Sequence, residues 1–264
     1  GVMSAEAIRD FLAYAHAHWA APAPAYVLLF GDGPYDIRKF RTVYDTYIPP
    51  FLALVDPDMG ETAAENRFVS FAGGDNLPDM SLGRFPVNTV AQAQAMVDKT
   101  IAYEQGCECG AWNNNALFIS DDLEGGGGNF YYYSDQVADG YANAPANTVK
   151  FLPDYYNAQK TYLGQTCDVT GNPGIATQCR QEITSTLKLD GALFVSYIGH
   201  STKSYWAAEH LLDKAMIDTL QTGACLPIAL AMTCYEGSFH DADTDALATY
   251  RYVRRRHFDD GQVA

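Results

Sequence analysis

A chain of 264 residues with 48% apolar and 19% charged residues has the material for a buried core and is neither a disordered segment nor a coiled coil. Its formal charge of −15, from 32 acidic against 17 basic residues, excludes a nucleic-acid binder that works through phosphate contacts, and no run of residues reaches the length of a membrane span. No basic segment followed by an apolar one opens the chain, and residue 1 is Gly, so a processed or truncated product is expected.

Ser4 ahead of Ala, Ile, Phe and Leu at helical spacing predicts a first helix to about His18, ended by Pro22 and Pro24. Tyr26 to Phe30 reads as a short buried strand that breaks at Gly31-Asp32-Gly33-Pro34. A dinucleotide loop is not indicated there, because the third glycine and the following helix are missing. Residues 35–87 are rich in Pro and Asp with short strand-like pieces, and Asn88 or Thr89 then caps a helix whose apolar positions include Val90, Ala93, Val97 and Ile101.

Cys107 to Asn115 reads as a seam, dividing the chain into an N-terminal α/β subdomain, 1–106, and a C-terminal catalytic subdomain, 107–264. Ala116 to Ile119 is the next buried strand, closing on Ser120-Asp121-Asp122-Leu123-Glu124 and four glycines. Ser134 and Asp135 are expected to start a helix, Arg180 to Leu187 forms another, and a last one runs from about Asp243 to Arg256. The cluster Arg251 to Arg256 with His257 would complement that helix's C-terminal dipole. Strands alternating with helices predict a doubly wound, mostly parallel sheet with helices on both faces.

Six cysteines occur, at 107, 109, 167, 179, 225 and 234. Cys167 and Cys179 flank the turn-rich stretch Asp168 to Gly174, which lacks a core of its own, so a disulfide between them is expected and with it an oxidising compartment: secreted or cell surface. Cys107-x-Cys109 has no second pair to complete a zinc site.

Two apolar runs too short for helices, Ala192 to Ile198 and Leu226 to Met232, read as buried parallel strands, each delivering one reactive residue at its carboxyl end: His200 and Cys234. A thiol needs an imidazole beside it to become a nucleophile and to shuttle the proton, and neighbouring parallel strands open into one crevice. The pattern is that of a cysteine hydrolase. Cys225 lies at the opposite end of the same strand and cannot share the site.

Ile198-Gly199-His200, then Trp206 and His210, then Thr233-Cys234-x-x-Gly237-x-Phe239 with 34 positions from His200 to Cys234, resemble the catalytic core of the gingipain-type cysteine peptidases, relatives of caspases and legumains. Gly74-Asp75-Asn76-Leu77-Pro78-Asp79 through Gly83-Arg84-Phe85-Pro86-Val87, with the helical stretch to Tyr103-Glu104, is similar to the segment joining the two halves of that family's catalytic domain. The resemblance implies a caspase-like fold in two packed subdomains and a cysteine endopeptidase that needs no cofactor. It would cleave polypeptides through an acyl-enzyme on Cys234 with His200 as general base and acid. The oxyanion donors would be the amides of Cys234 and Ser201. The family carries glycine at that second place, and serine keeps the donor without glycine's freedom at positive φ.

A carboxylate from the acidic loop would orient His200: Asp121 as the first past the strand, with Asp122 and Glu124 as alternatives. The same loop could instead be a polar turn or hold a structural calcium. Asp135 matches the position that faces the substrate's basic side chain in Arg-cleaving relatives, where a carboxylate pairs bidentately with arginine; a helix-dipole role competes. His210 is expected to begin a helix in a structural role, and His16, His18, His240 and His257 to lie at the surface. The family would continue with a further strand, begun at Gly261 to Ala264, and often an immunoglobulin-like domain, so a fragment or a nicked catalytic domain is expected.

Two other functions compete. One is a catalytically silent binding or maturation module of a surface-protein secretion system that keeps the fold. The other is a thiol-based transferase that resolves the acyl-enzyme with an amine.

Overall fold

The computed structural model describes residues 3–40, 45–56, 60–106, 110–123, 128–140, 152–167, 174–220 and 225–241. Their contacts group into two units, one within residues 1–97 together with 238–241, the other within 98–237.

The first unit begins with α1, Ala5–His18, whose N-cap Ser4 accepts from the Ala7 amide at 3.2 Å. The strand β1, Tyr26–Phe30, is followed by an antiparallel hairpin of β2, Leu52–Asp56, and β3, Gly60–Ala63. Strand β4, Ser81–Phe85, pairs in parallel with β1. Ala5, Leu12, Leu29, Phe51, Phe68, Val69 and Met80 form the core. Arg84 stitches its loops together, bonding Glu65 at 2.6 Å and the carbonyls of Gly31 and Ile48 at 2.8 and 3.1 Å. Val27 and Leu29 point inward along β1, but Tyr26, Leu28 and Phe30 are exposed, so this strand is buried on one face and not on both. His240 is buried and its carbonyl accepts from Tyr35, which corrects its surface assignment.

Helix α2, Val90–Gly106, crosses the division between the units, with the Thr89 hydroxyl accepting from Gln92. The second unit is a four-stranded parallel sheet made of β5, Asn115–Ser120; β6, Asn157–Tyr162; β7, Phe194–Ile198; and, last in sequence, Ile228–Met232. Between these lie α3, Phe130–Ala138; α4, Thr177–Ser185, prolonged by a π-helical turn to Asp190; the short β8, Tyr205–Trp206, and β9, Leu212–Asp213; and α5, Lys214–Thr219. The last sheet strand is then β10, and the order across the sheet is β10-β7-β5-β6.

Alternation along the strands separates two layers. Leu117, Ile119, Val195 and Tyr197 face a core shared with Ile183, Met216 and Ile217 of α4 and α5, while Ala116, Phe118 and Phe194 face Ala138 and Tyr131 of α3. Helices therefore cover both faces, as a doubly wound sheet requires. Burying one such aliphatic side chain contributes about 1.5–3 kcal/mol. Cys167 and Cys179 are joined in a disulfide, with Cα atoms 5.3 Å apart.

Several expectations change. Helix α3 starts at Phe130 with Asn129 as its cap, not at Ser134 or Asp135. His210 sits in a turn at φ 57 before β9 and begins no helix. Strand β10 is not buried: among the described residues it pairs with β7 alone, and Ile228, Leu230 and Met232 are 48, 52 and 53% exposed. Cys107, Cys109, Glu124, the Asp243–Arg256 helix with His257, and the strand at Gly261 to Ala264 lie outside the described residues.

Candidate active site

Strands β7 and β10 run parallel in a register that ends with Met232 opposite Ile198. Cys234 and His200 each follow two residues beyond that last pair, at the carboxyl ends of adjacent parallel strands. Both are exposed, and Cys234 is free of any disulfide. Gly199 is required by a close approach: a Cβ there would lie 2.4 Å from Asp121 Cβ and 2.5 Å from the Tyr197 hydroxyl.

The main chain of His200 is held from three sides. The Asp121 carboxylate, 1% exposed, accepts from the His200 amide and from the Asp122 amide, each at 2.9 Å. The His200 carbonyl accepts from the Tyr197 hydroxyl at 2.6 Å and from the Ala207 amide at 2.9 Å. Burial, helped by the Asp121 charge, holds the Tyr197 phenol well above its usual range, so it remains a donor. The Phe130 ring meets the imidazole edge-on, with centroids 5.3 Å apart. Asp121 thus reaches residue 200 through its backbone, while Asp122 is half-buried one residue further along the same loop.

The cysteine loop is tied to the histidine loop twice. The Ser201 hydroxyl donates to the Cys234 carbonyl. Tyr235, at φ 60, occupies the left-handed region that costs a non-glycine residue roughly 1–2 kcal/mol, whereas Ser201 does not need it. Two residues past the thiol, Glu236 accepts from the Trp206 indole N–H at 2.6 Å. Burial pushes the Glu236 carboxyl up to about 7, against the opposing effect of the indole bond.

Asp135 lies in the second turn of α3, too far along for the first-turn dipole to account for it. Its carboxylate pairs with Lys160 of β6 at 2.7 Å, and Asp139 contacts the same ammonium. Burial alone would lower the Lys160 pKa, but the two carboxylates win and raise it. Tyr197 and Glu236 beside the two loops, and Lys160 beside Asp135, are partners that reasoning from sequence missed. The available signal was Glu236, an acid in the turn four residues past the end of β10 and two places from the thiol.

His210 stacks on Tyr205 at 3.8 Å and Arg180 donates to its carbonyl, a structural setting. Cys225 precedes β10 at the sheet's other end, near Trp112 and Gly191. Among the described residues no group of three or more His, Cys, Asp or Glu side chains is arranged to hold a metal ion.

The chain is similar to solved structures of Arg-specific gingipain. A complex of the pro- and mature domains of Porphyromonas gingivalis RgpB superposes with a TM-score of 0.68 at 19% identity, over 98% of this chain and 52% of that one. A crystal structure of the Arg-specific cysteine proteinase gingipain R (RgpB) gives 0.66 at 20% identity, over 98% and 50%. A third structure, described as a protease, gives 0.60 at 15% identity, over 96% and 47%. The chain therefore spans about half the length of these structures, whose caspase-like fold it shares. No curated protein matches the sequence. The family model for peptidase family C25 matches residues 1–257, and the chain belongs to that family of peptidases.

Proposed function

We propose that this chain is the catalytic unit of a cysteine endopeptidase that cuts polypeptides through an acyl-enzyme on Cys234. The observation that carries the reading is the register of β7 and β10, which brings Cys234 and His200 equally far beyond neighbouring parallel strand ends. In this cycle His200 takes the thiol proton, the thiolate attacks the scissile carbonyl, and the imidazolium protonates the departing amine. The same imidazole then activates water to hydrolyse the thioester. The amides of Ser201 and Cys234 serve the oxyanion, Asp121 positions His200, and thiol and imidazole supply the chemistry without a cofactor. The alternative, a catalytically silent module that keeps the fold, is opposed by the presence of both His200 and Cys234.

The test is labelling with iodoacetamide or an acyloxymethyl ketone, followed by peptide mapping. Label is expected on Cys234, not on Cys225, and it should be lost in His200→Ala. Equal labelling of both thiols, or insensitivity to His200→Ala, would defeat the reading.

Asp135 is proposed as the carboxylate facing a basic substrate side chain, which there competes with Lys160 for the same oxygen atoms. Lys160→Met should raise kcat/KM for an arginine substrate above that for an uncharged one, and Asp135→Asn should lower it; an unchanged ranking in both removes the assignment. A secreted or cell-surface location is supported by the Cys167–Cys179 disulfide. No helix among the described residues is long and apolar enough to cross a membrane.

A further inference from the structure

The loop that carries Cys234 leaves the sheet after Met232, where the ladder to β7 stops, and no packed strand flanks β10 on its other side among the described residues. Its shape beyond that point is a reversal in which Tyr235 at φ 60 and Gly237 at φ 72 flank Glu236 and turn its side chain back toward the histidine platform. The group it meets is Trp206, 1% exposed, whose ring lies 4.2 Å from that of Tyr197 and within 4° of parallel. Tyr197 in turn donates to the carbonyl of His200 at 2.6 Å. A buried indole N–H needs an acceptor, and Glu236 supplies it from the other loop.

We propose that Glu236 is a positioning residue: through Trp206 and Tyr197 it ties the Cys234 loop to the main chain of His200 and so fixes the approach of thiol to imidazole. The inference rests on the peptidase reading for the reaction it serves, while the tie itself stands on contacts between side chains outside the bond-making steps. Glu236 bonds the indole. The tie asks only for an acceptor oxygen at that place, so glutamine should replace glutamate, whereas alanine should release the loop.

The experiment uses the intact chain and compares wild type with Glu236→Ala, Glu236→Gln and Trp206→Phe in peptide hydrolysis, in iodoacetamide alkylation of Cys234 across pH, and in thermal midpoint. Misplacing reacting groups by about 1 Å costs up to on the order of a hundredfold, so Glu236→Ala is expected to lower kcat by roughly tenfold to a hundredfold, with KM within about twofold. It should slow alkylation near neutral pH in parallel. Glu236→Gln should restore most of both rates. Trp206→Phe, which keeps the stacked ring and removes the donor, should match Glu236→Ala, and the double variant should be no worse than either single one.

Wild-type kcat and alkylation in folded Glu236→Ala would overturn the inference, as would a loss that Glu236→Gln fails to restore. If Glu236→Ala does not fold, Trp206→Phe against Glu236→Gln decides. If wild type cleaves no peptide, the peptidase reading falls alone, and the alkylation rates still test the tie.

Discussion

The two outer strands of the four-stranded sheet are held by different means. Strand β6 runs into the core: Thr161, Tyr162 and Leu163 are all at most 2% exposed, Gln159 bonds the Thr186 hydroxyl at 2.6 Å, and the disulfide from Cys167 to Cys179 staples the following turn to α4. Strand β10 turns Ile228, Leu230 and Met232 half outward and, among the described residues, keeps its place through the ladder to β7 and the packing of Ala231 against the core. Past its end, two polar ties to the histidine loop take over, from Ser201 and from Trp206. Packing and covalent closure fix a strand whatever its loops do; a strand whose outward side chains are half-exposed depends more on its ladder and on the bonds past its end for the placement of whatever it carries. The nucleophile candidate stands on the second kind of edge.

The sharpest break between the edges is chemical. Cys234→Ala should lower peptide hydrolysis by several orders of magnitude, since the remaining groups act only as a unit, and should leave the thermal midpoint nearly unchanged because the thiol is exposed. Steady-state rates beside calorimetry on one preparation test both halves. Packing comes next. Leu163→Ala, at a fully buried site after β6, should cost about 2–5 kcal/mol in denaturant unfolding, and Leu230→Ala on half-exposed β10 less than about 1 kcal/mol. Equal losses would erase the distinction. Replacing Cys167 and Cys179 together by Ala should cost about 3 kcal/mol in the chain-entropy model, measured the same way, without changing Cys234 alkylation.

The smallest effect follows pH. The Glu236 carboxyl is raised by burial from 4.5 to about 7, so between those values the native state holds a proton that the unfolded state has released. Stability should therefore fall as pH rises through that window and level off above it, by roughly 1–3 kcal/mol in all. Glu236→Gln should flatten the slope. A wild-type and variant difference that stays constant from pH 4.5 to 7.5 would show that the carboxyl is not desolvated as the fold implies.

Much of this was legible in local pattern. The runs ending at Ile198 and Met232 are strands, Ser4 and Thr89 cap their helices, and Cys167 with Cys179 closes a turn-rich loop. What escaped was tertiary. An apolar run does not reveal how fully its strand is covered, so β10 looked as buried as β7. The start of α3 was hidden because Phe130, Tyr131, Tyr132 and Tyr133 are all aromatic and leave no period to read. Lys160 and Asp135 are 25 positions apart and Trp206 and Glu236 are 30, distances over which spacing carries no information.

Gly199 bears on how screening data for this protein should be interpreted. With Asp121 Cβ and the Tyr197 hydroxyl where a methyl group would go, even alanine must push aside two of the three residues that hold the His200 backbone. A saturation library at this position would return inactive clones as uniformly as one at Cys234, and a tolerance map alone would score both as chemistry. Thermal midpoints separate them: damage at 199 should melt the site along with the activity, and damage at 234 should leave a well-folded, silent protein.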